Sequence, residues 1–471
     1  MKVTDSGNLK HRQLRFEDYL QRVSAEQKEY AEVCVPPKMT ETDNTNTSKQ
    51  TEELLEEILK TDNLNRAYKQ VKRNKGAGGI DGMQVDELLH FLRDHKEELL
   101  ESLRDGTYRP KPVRRVEIPK ENGKTRKLGI PTVADRLIQQ AITQVLSPIF
   151  EKQFSDNSFG FRPKRSAHDA LQRCQKHITD GYRYVVDMDL EKYFDTVNQS
   201  KLIQILSETI KDGRVISLIH KFLRAGVIVE GLFEESLEGV PQGGPLSPLL
   251  GNIMLNECDQ ELEKRGHRFV RYADDMMIFC KSKKAAKRTL DHILPYIEGR
   301  LFLKVNREKT KVAHVKNVKF LGYGFYIYRG EGRLRIHPKS IGKLKDKIRE
   351  VTGRSNGMGI EERRTGINQI VRGWVNYFKL ADAKNLLASL DKWLRSRIRM
   401  VTWKRWKKVR TRFENLKKAG ITKDQAWQWA NTRKSYWRIA HSPILYKALS
   451  NERFKRIGYL SFSECYSASN V

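Results

Sequence analysis

Phe269-Val270-Arg271-Tyr272-Ala273-Asp274-Asp275-Met276-Met277-Ile278-Phe279 sets two adjacent carboxylates between apolar runs. That pattern predicts the tip of a strand–turn–strand hairpin. Farther upstream, Tyr184-Val185-Val186-Asp187-Met188-Asp189 reads as a buried strand, and Leu190-Glu191-Lys192-Tyr193-Phe194-Asp195 turns away from it. Side chains alternate along a strand, so Asp187 and Asp189 share one face. Acids beside apolar strands are costly unless a cation balances them. Few lysines or arginines lie within these strands. A divalent cation is the economical answer, and Mg²⁺ takes one or two carboxylates together with phosphate oxygens. Two such ions about 4 Å apart would activate an attacking hydroxyl and steady the leaving oxygen of a phosphoryl displacement. A double Asp taken alone is more often a turn or a helix cap, so its neighbours decide.

The rest of the chain points the same way. It has 471 residues, with 89 Lys+Arg against 58 Asp+Glu and a formal net charge of +31. At about 150 residues per domain, that length suggests about three domains. Apolar residues make up 38% of it, enough for a core and against wholesale disorder. No run of about 18 apolar residues marks a membrane span, and the first residues lack the apolar stretch of a secretory signal. The cysteines at 34, 174, 258, 280 and 465 form no CxxC, against a zinc ribbon or a disulfide scaffold and for a reducing cytosol. The charge calls for a polyanion, most simply nucleic acid.

That charge is uneven. Residues 1–50 carry eight basic and eight acidic side chains, whereas 331–440 carry 29 basic and nine acidic. All seven tryptophans, Trp374, Trp393, Trp403, Trp406, Trp427, Trp429 and Trp437, fall in the second stretch. Cations interleaved with large rings suit a surface that grips phosphates and stacks on bases. The plainer alternative makes the rings core and the charges a solvated face, but that does not explain an excess of one sign.

Along the chain, residues 1–50 read as a polar, mobile leader with one helix near Leu14–Val23. A helical pattern runs from Glu52 through Val71 and ends in the glycine-rich loop at 74–82, which could approach a ligand closely or flex. A second helix is expected at Val85–Leu103, and strands at Val113–Ile118 and Arg126–Ile130 around an Asn122-Gly123 turn. Helices follow at Ala134–Leu146 and Ser166–Thr179, and after about His337 the pattern is nearly all helical.

With these neighbours in view, the sequence resembles the reverse transcriptase/maturases encoded by bacterial group II introns, from about Leu54 to about Ser463. Tyr272-Ala273-Asp274-Asp275 looks like the polymerase YADD box, and Val186–Asp195 like the first-aspartate motif. Ser158-Phe159-Gly160-Phe161-Arg162-Pro163 and Pro241-Gln242-Gly243-Gly244-Pro245-Leu246-Ser247-Pro248-Leu249-Leu250 match the group II form, not the retron variant. Phe320-Leu321-Gly322-Tyr323 and Gly373-Trp374-Val375-Asn376-Tyr377-Phe378 fit the palm end and the maturase region.

The resemblance implies an α/β (α+β) right-hand polymerase: fingers and palm with an antiparallel palm sheet, then a helical thumb. It divides the chain into a leader (1–50), fingers and palm (51–336, with an N-terminal extension at 51–110), thumb or maturase domain X (337–414), and a DNA-binding-like region (415–471). It implies that Asp189, Asp274 and Asp275 are the catalytic carboxylates and hold two Mg²⁺ ions, with the Leu190 carbonyl as a further ligand. Asp187 is the rival first carboxylate, read as structural. Phe194 is the ring placed under the sugar to exclude a 2′-hydroxyl, with Tyr193 as the nearby alternative. Lys120 and Arg126 reach the dNTP phosphates, where bidentate geometry suits arginine, although surface charge on a hairpin is the bland alternative. Gln242 sits where backbone approaches the new base pair, and Ser247-Pro248 opens a helix as N-cap and first-turn proline. Lys309 could protonate pyrophosphate or be an ordinary surface lysine. Arg114, Arg115 and the run Lys404, Arg405, Lys407, Lys408 and Arg410 are the expected nucleic-acid contacts.

The implied function is RNA-directed DNA synthesis combined with binding of the intron RNA in splicing and mobility. The implied partners are group II intron RNA, an RNA template with a DNA or RNA primer, target DNA and dNTPs, with no membrane. The expected location is the bacterial cytoplasm, on the nucleoid. Lack of CxxC metal ligands and an HNH site implies the endonuclease-lacking, class C-like form. Gly251, where the family usually has Leu-Leu-Ala-Asn, is a minor departure. Two rivals remain: a splicing cofactor with an idle polymerase site, and a host-adopted enzyme of repair or phage defence.

Overall fold

A computed structural model describes residues 14–15, 53–119 and 125–469. Residues 120–124, with Lys120 and the expected Asn122-Gly123 turn, residues 1–52 apart from Leu14 and Arg15, and residues 470–471 lie outside the described residues. Leu14–Arg15 is a two-residue strand, β1, where a helix near 14–23 is expected; the rest of that helix also lies outside. The apolar spacing after Glu52 folds as two helices, not one. α1 (Leu54–Leu59) buries all four of its large apolar residues, then Lys60 takes an extended ψ of 136° and α2 (Thr61–Asn74) begins. The helix expected at 85–103 opens with a 3₁₀ turn at Val85–Glu87 before α3 (Leu88–Arg104).

β2 (Val113–Pro119) and β3 (Thr125–Ile130) pair antiparallel as expected. α4 (Val133–Glu151) and α5 (Ala167–Thr179) follow. Then come β4 (Tyr184–Met188), the short α6 (Tyr193–Thr196), α7 (Gln199–Thr209), α8 (Gly213–Arg224), β5 (Val227–Val229) and β6 (Leu232–Glu234). α9 (Ser247–Lys264), β7 (Arg268–Tyr272), β8 (Asp275–Cys280), α10 (Lys283–Gly299) and β9 (Lys311–His314) complete this part. One sheet has the order β1-β6-β5-β2-β3, with β2 and β5 parallel. The other runs β7-β8-β4-β9, and its β7–β8 and β8–β4 pairs are antiparallel, as a palm sheet should be.

The described residues up to Arg173, with Tyr184–Val312, form one compact unit. Its core joins Val186, Met188, Met276 and Ile278 of the sheet to Leu250, Ile253 and Met254 of α9 and Ile293 and Ile297 of α10. Buried Asp212 serves two helix starts at once. It accepts from Arg214 N at the start of α8 and, at 2.9 Å, from Leu55 N in α1. A carboxylate at two positive helix ends suits the dipoles of both, and ties the segment before the strands to the core. Ser247 departs from its expected role. It is already the first helical residue, Leu246 holds the N-cap place, and the Ser247 hydroxyl donates to the carbonyl of Pro241.

Cys174–Arg183 with the described residues from Ala313 onward form the second compact unit. An antiparallel meander, β10 (Lys319–Phe320), β11 (Tyr323–Tyr328) and β12 (Glu331–Ile336), gives way to helices. These are α11 (Pro338–Val351), α12 (Ile360–Phe378), α13 (Lys384–Arg405), α14 (Val409–Lys418), α15 (Lys423–Ala430), α16 (Tyr436–Ala440), α17 (Pro443–Ala448), α18 (Asn451–Arg456) and α19 (Phe462–Ser469). Asp391 of α13 accepts from Phe462 N and Ser463 N and so caps α19. No described helix is long and apolar enough to cross a membrane.

Candidate active site

The hairpin expected at 269–279 forms, with Ala273 and Asp274 between β7 and β8. Ala273 lies in the left-handed region at φ 57°, which costs a non-glycine residue about 1 kcal/mol or more. Arg271, fully buried, sustains that turn from below. Its Nη1 donates to Ala273 O at 3.0 Å and to Asn252 Oδ1 at 2.9 Å. Its Nε and Nη2 both engage the carboxylate of Asp259, also fully buried. Burial works against the Arg271 charge, but Asp259 outweighs it and raises the guanidinium's pKa, so the charge is kept. Asn252 in turn donates to Gly160 O at 2.9 Å. A Cβ on Gly160 would stand 2.3 Å from Ala273 N, so only glycine fits beneath the turn. Phe159 N donates to Arg271 O and Arg271 N to Asn157 O. The motif at 158–163 is thus the bed on which the aspartate turn rests.

The antiparallel register pairs Met188 with Met276. Asp189, one residue on, therefore comes alongside Asp275, one residue back. Asp274 and Asp275 are exposed at the hairpin tip and Asp189 is half-buried. The segment after α10 clips the backbone here. Asn306 N donates to Asp189 O, Glu191 N donates to Lys304 O, and Leu190 bridges Val305. Leu190 and Asp274 line the same narrow cavity.

Two lysines reach the acids of β4 and its end from that same stretch after α10. Lys309 Nζ lies 3.0 Å from Asp189 Oδ2, and Lys311 Nζ lies 3.6 Å from Asp187 Oδ2. The basic partners of Asp189 and Asp187 thus come from far along the chain, Lys309 lying 120 residues from Asp189. Burial raises the pKa of Asp187, Lys311 opposes that, and neighbouring Asp189 adds to it. Among the described residues no three acidic, histidine or cysteine side chains converge as a ready-made metal cluster. The donors still fit Mg²⁺ in kind, since hard carboxylate oxygens stand at adjacent strand ends.

The fingers strands reach the same place through Gln242. Arg126 Nε donates to Gln242 Oε1 at 2.9 Å, and Gln242 Nε2 lies 3.5 Å from Asp195 Oδ1, next to Phe194. Gly129 N donates to Gln242 O. Gly243, at φ 126°, passes so close to Gly129 that a Cβ would meet its oxygen at 2.2 Å. Tyr193 is buried, and its hydroxyl donates to Gly251 O at 2.7 Å. Phe194 is only half-buried. Arg114 donates to Gly78 O, and Arg115 lies 3.5 Å from Glu234, so both are engaged within the protein. The glycine loop is packed down as well, since a Cβ on Gly79 would meet Thr132 Cα at 2.6 Å.

In the second unit the basic run separates by face. Trp403 and Trp406 are buried, while Arg405, Lys407, Lys408 and Arg410 are exposed, with no side-chain hydrogen bond or ion pair among the described residues. Lys404 is spent on Arg354 O and Ser355 Oγ. Trp427 and Trp437 remain 58% and 41% exposed, so the tryptophans divide between core and surface. One feature escaped the sequence reading. A cleft of about 490 Å³ between α12 and the turn after α18 is lined by Arg364, Thr365, Gln369, Arg372 and Arg456. Asn368 latches it, donating to Gly458 O and accepting from Leu460 N. Only the i, i+4, i+8 spacing of Arg364, Asn368 and Arg372 could have signalled it.

Two families match parts of the chain. Residues 118–325 match "Reverse transcriptase (RNA-dependent DNA polymerase)", and residues 341–420 match "Group II intron, maturase-specific domain". Protein YkfC of Escherichia coli (strain K12) is 36% identical over 329 residues, covering 61% of this chain and 86% of YkfC. Group II intron-encoded protein LtrA of Lactococcus lactis subsp. cremoris is 32% identical over 369 residues, covering 62% of this chain and 61% of LtrA. The Putative COX1/OXI3 intron 2 protein of Saccharomyces cerevisiae is 26% identical over 408 residues, covering 67% of this chain and 47% of that protein.

Proposed function

Because the chain belongs to the reverse transcriptase/maturase family of group II introns, we propose that it copies RNA into DNA and binds its intron RNA to assist splicing and mobility. The observation that carries the polymerase half is the strand register that sets the end of β4, before Asp189, against the Asp274–Asp275 hairpin tip, together with the Arg126–Gln242 pair. We assign 51–336 to fingers and palm, 337–414 to the thumb or domain X, and 415–471 to a DNA-binding-like region. The reading places the protein in the cytoplasm, on the nucleoid, with target DNA and dNTPs among its partners.

In this reading Asp189, Asp274 and Asp275, with the Leu190 carbonyl, would hold two Mg²⁺ ions, whose chemistry would be to lower the pKa of the primer 3′-hydroxyl and to steady the departing pyrophosphate. The Arg271–Asp259 pair keeps the turn rigid, so the two tip carboxylates need not reorganise during reaction. Lys309 neutralises Asp189 in the described state and stands within reach as a proton donor to pyrophosphate. Gln242 orients Arg126 toward the triphosphate. Phe194 lies under the incoming sugar.

Primer extension on a primed RNA template with dNTPs and Mg²⁺ tests the polymerase half, with incorporation expected. Failure to incorporate alongside tight intron RNA binding would leave the splicing-cofactor reading in its place.

Grip on RNA is assigned to Arg405, Lys407, Lys408 and Arg410 and to the cleft arginines Arg372 and Arg456. Neither of the latter two has a hydrogen-bond or ion-pair partner among the described residues. Phosphate contacts release counterions, so affinity must fall steeply with salt. Neutralising two phosphate contacts, as R372Q/R456Q, is expected to make the slope of log K against log [salt] shallower by about 1.5. An unchanged slope for intron RNA would remove the cleft from the interface.

A further inference from the structure

We infer that Gly251 is a positioning residue for nucleotide choice: its missing side chain seats the Phe194 ring low and so sets the clearance left for the sugar. This rests on the reading that Phe194 lies beneath the incoming sugar. Gly251 is buried in the second turn of α9, a position where alanine would strengthen the helix. The reason for glycine there is therefore outside the helix backbone. A Cβ at 251 would stand 3.1 Å from Phe194 Cε1 and 3.4 Å from Tyr193 Cε1. The first distance is tight and the second stands at the edge of ordinary contact, so a neighbour must yield by a few tenths of an ångström.

The structure determines which neighbour yields. Tyr193 is held by its hydroxyl on Gly251 O at 2.7 Å and is 3% exposed. Its ring meets Phe194 edge-on at 5.1 Å and closes that flank. The backbone under Phe194 is pinned as well. Val240 N donates to Phe194 O, Asp195 N to Lys192 O and Gly239 N to Val197 O. Lys192 is fixed in the left-handed region at φ 45°. What remains able to move is the Phe194 ring, and its half-exposed side is the open one. A side chain at 251 thus drives the ring outward, toward the space the sugar would occupy. A departure that reads as minor in the sequence becomes a setting of the specificity filter.

The test is single-nucleotide primer extension with dNTPs and rNTPs for G251A, F194V and the double variant. G251A is expected to raise the preference for dNTP over rNTP by roughly tenfold, of the order one methyl group commands in a shaped pocket. The change should appear mainly as a higher KM for rNTP, with kcat for dNTP little altered. F194V should relax the preference, and in that background G251A should add nothing, because the contact it acts through is gone. If F194V relaxes the preference while G251A leaves it unchanged or lowers it, the role of Gly251 is overturned and that of Phe194 survives. If F194V has no effect, the sugar reading fails and takes the inference with it. Equal effects of G251A in both backgrounds would also overturn it. Should G251A melt early, recovery in the double variant supports the same contact, and lack of recovery counts against it.

Discussion

D274N/D275N is expected to lose DNA synthesis by at least about three orders of magnitude, equivalent to roughly 4 kcal/mol of transition-state stabilisation. Asparagine keeps the size of each side chain but removes the charge that would hold a divalent cation. The turn itself is expected to survive, since it is held by Arg271 on Ala273 O and by the Gly160 segment beneath it. Binding of intron RNA should stay within about twofold, as the exposed cations assigned to that role belong to the other compact unit. Single-turnover extension and an equilibrium RNA-binding titration on the same preparation check both halves. Synthesis within tenfold of the unsubstituted protein would remove these residues from the chemistry. Loss of RNA binding in parallel would mean that the two activities share one surface.

R271M is expected to destabilise the first unit by about 3–5 kcal/mol, because it strands the Asp259 carboxylate in the core without a partner. Removing both charges is a different experiment. R271M/D259L replaces a buried pair by apolar groups and should regain most of the lost stability. It should not regain full activity, because Ala273 would still lack the guanidinium that holds its carbonyl. The measurement is urea denaturation followed by far-ultraviolet circular dichroism. Tryptophan fluorescence would be blind here, since every tryptophan lies at or beyond residue 374 and hence in the second unit. A cost below about 1 kcal/mol for R271M would show that the pair does not support the turn. Full activity in the double variant would show that the support is not used.

The strands and helices around the aspartates were legible because their signals are local. Alternation marks Tyr184–Met188 and Asp275–Cys280 as strands, and the paired acids mark the hairpin tip. The C-terminal helices follow from apolar spacing in the same way. Local signals were weaker at boundaries, where Lys60 breaks one expected helix into two and Ser247 forgoes the cap for the carbonyl of Pro241. Those choices turn on a single dihedral or a single hydrogen bond.

By itself, then, the sequence determined the family and the candidate carboxylates, set on apolar strands in a strongly basic chain. Only the tertiary structure decided who stands beside them. It brought Lys309 to Asp189, closed Arg271 onto Asp259, and set the Phe194 ring against the bare backbone of Gly251. It also divided the tryptophans, burying Trp403 and Trp406 and leaving Trp427 and Trp437 at the surface. The physical reason is that periodicity encodes which face of an element is apolar. It carries no record of which distant side chain will meet that face, and charge balance and steric clearance are properties of such meetings.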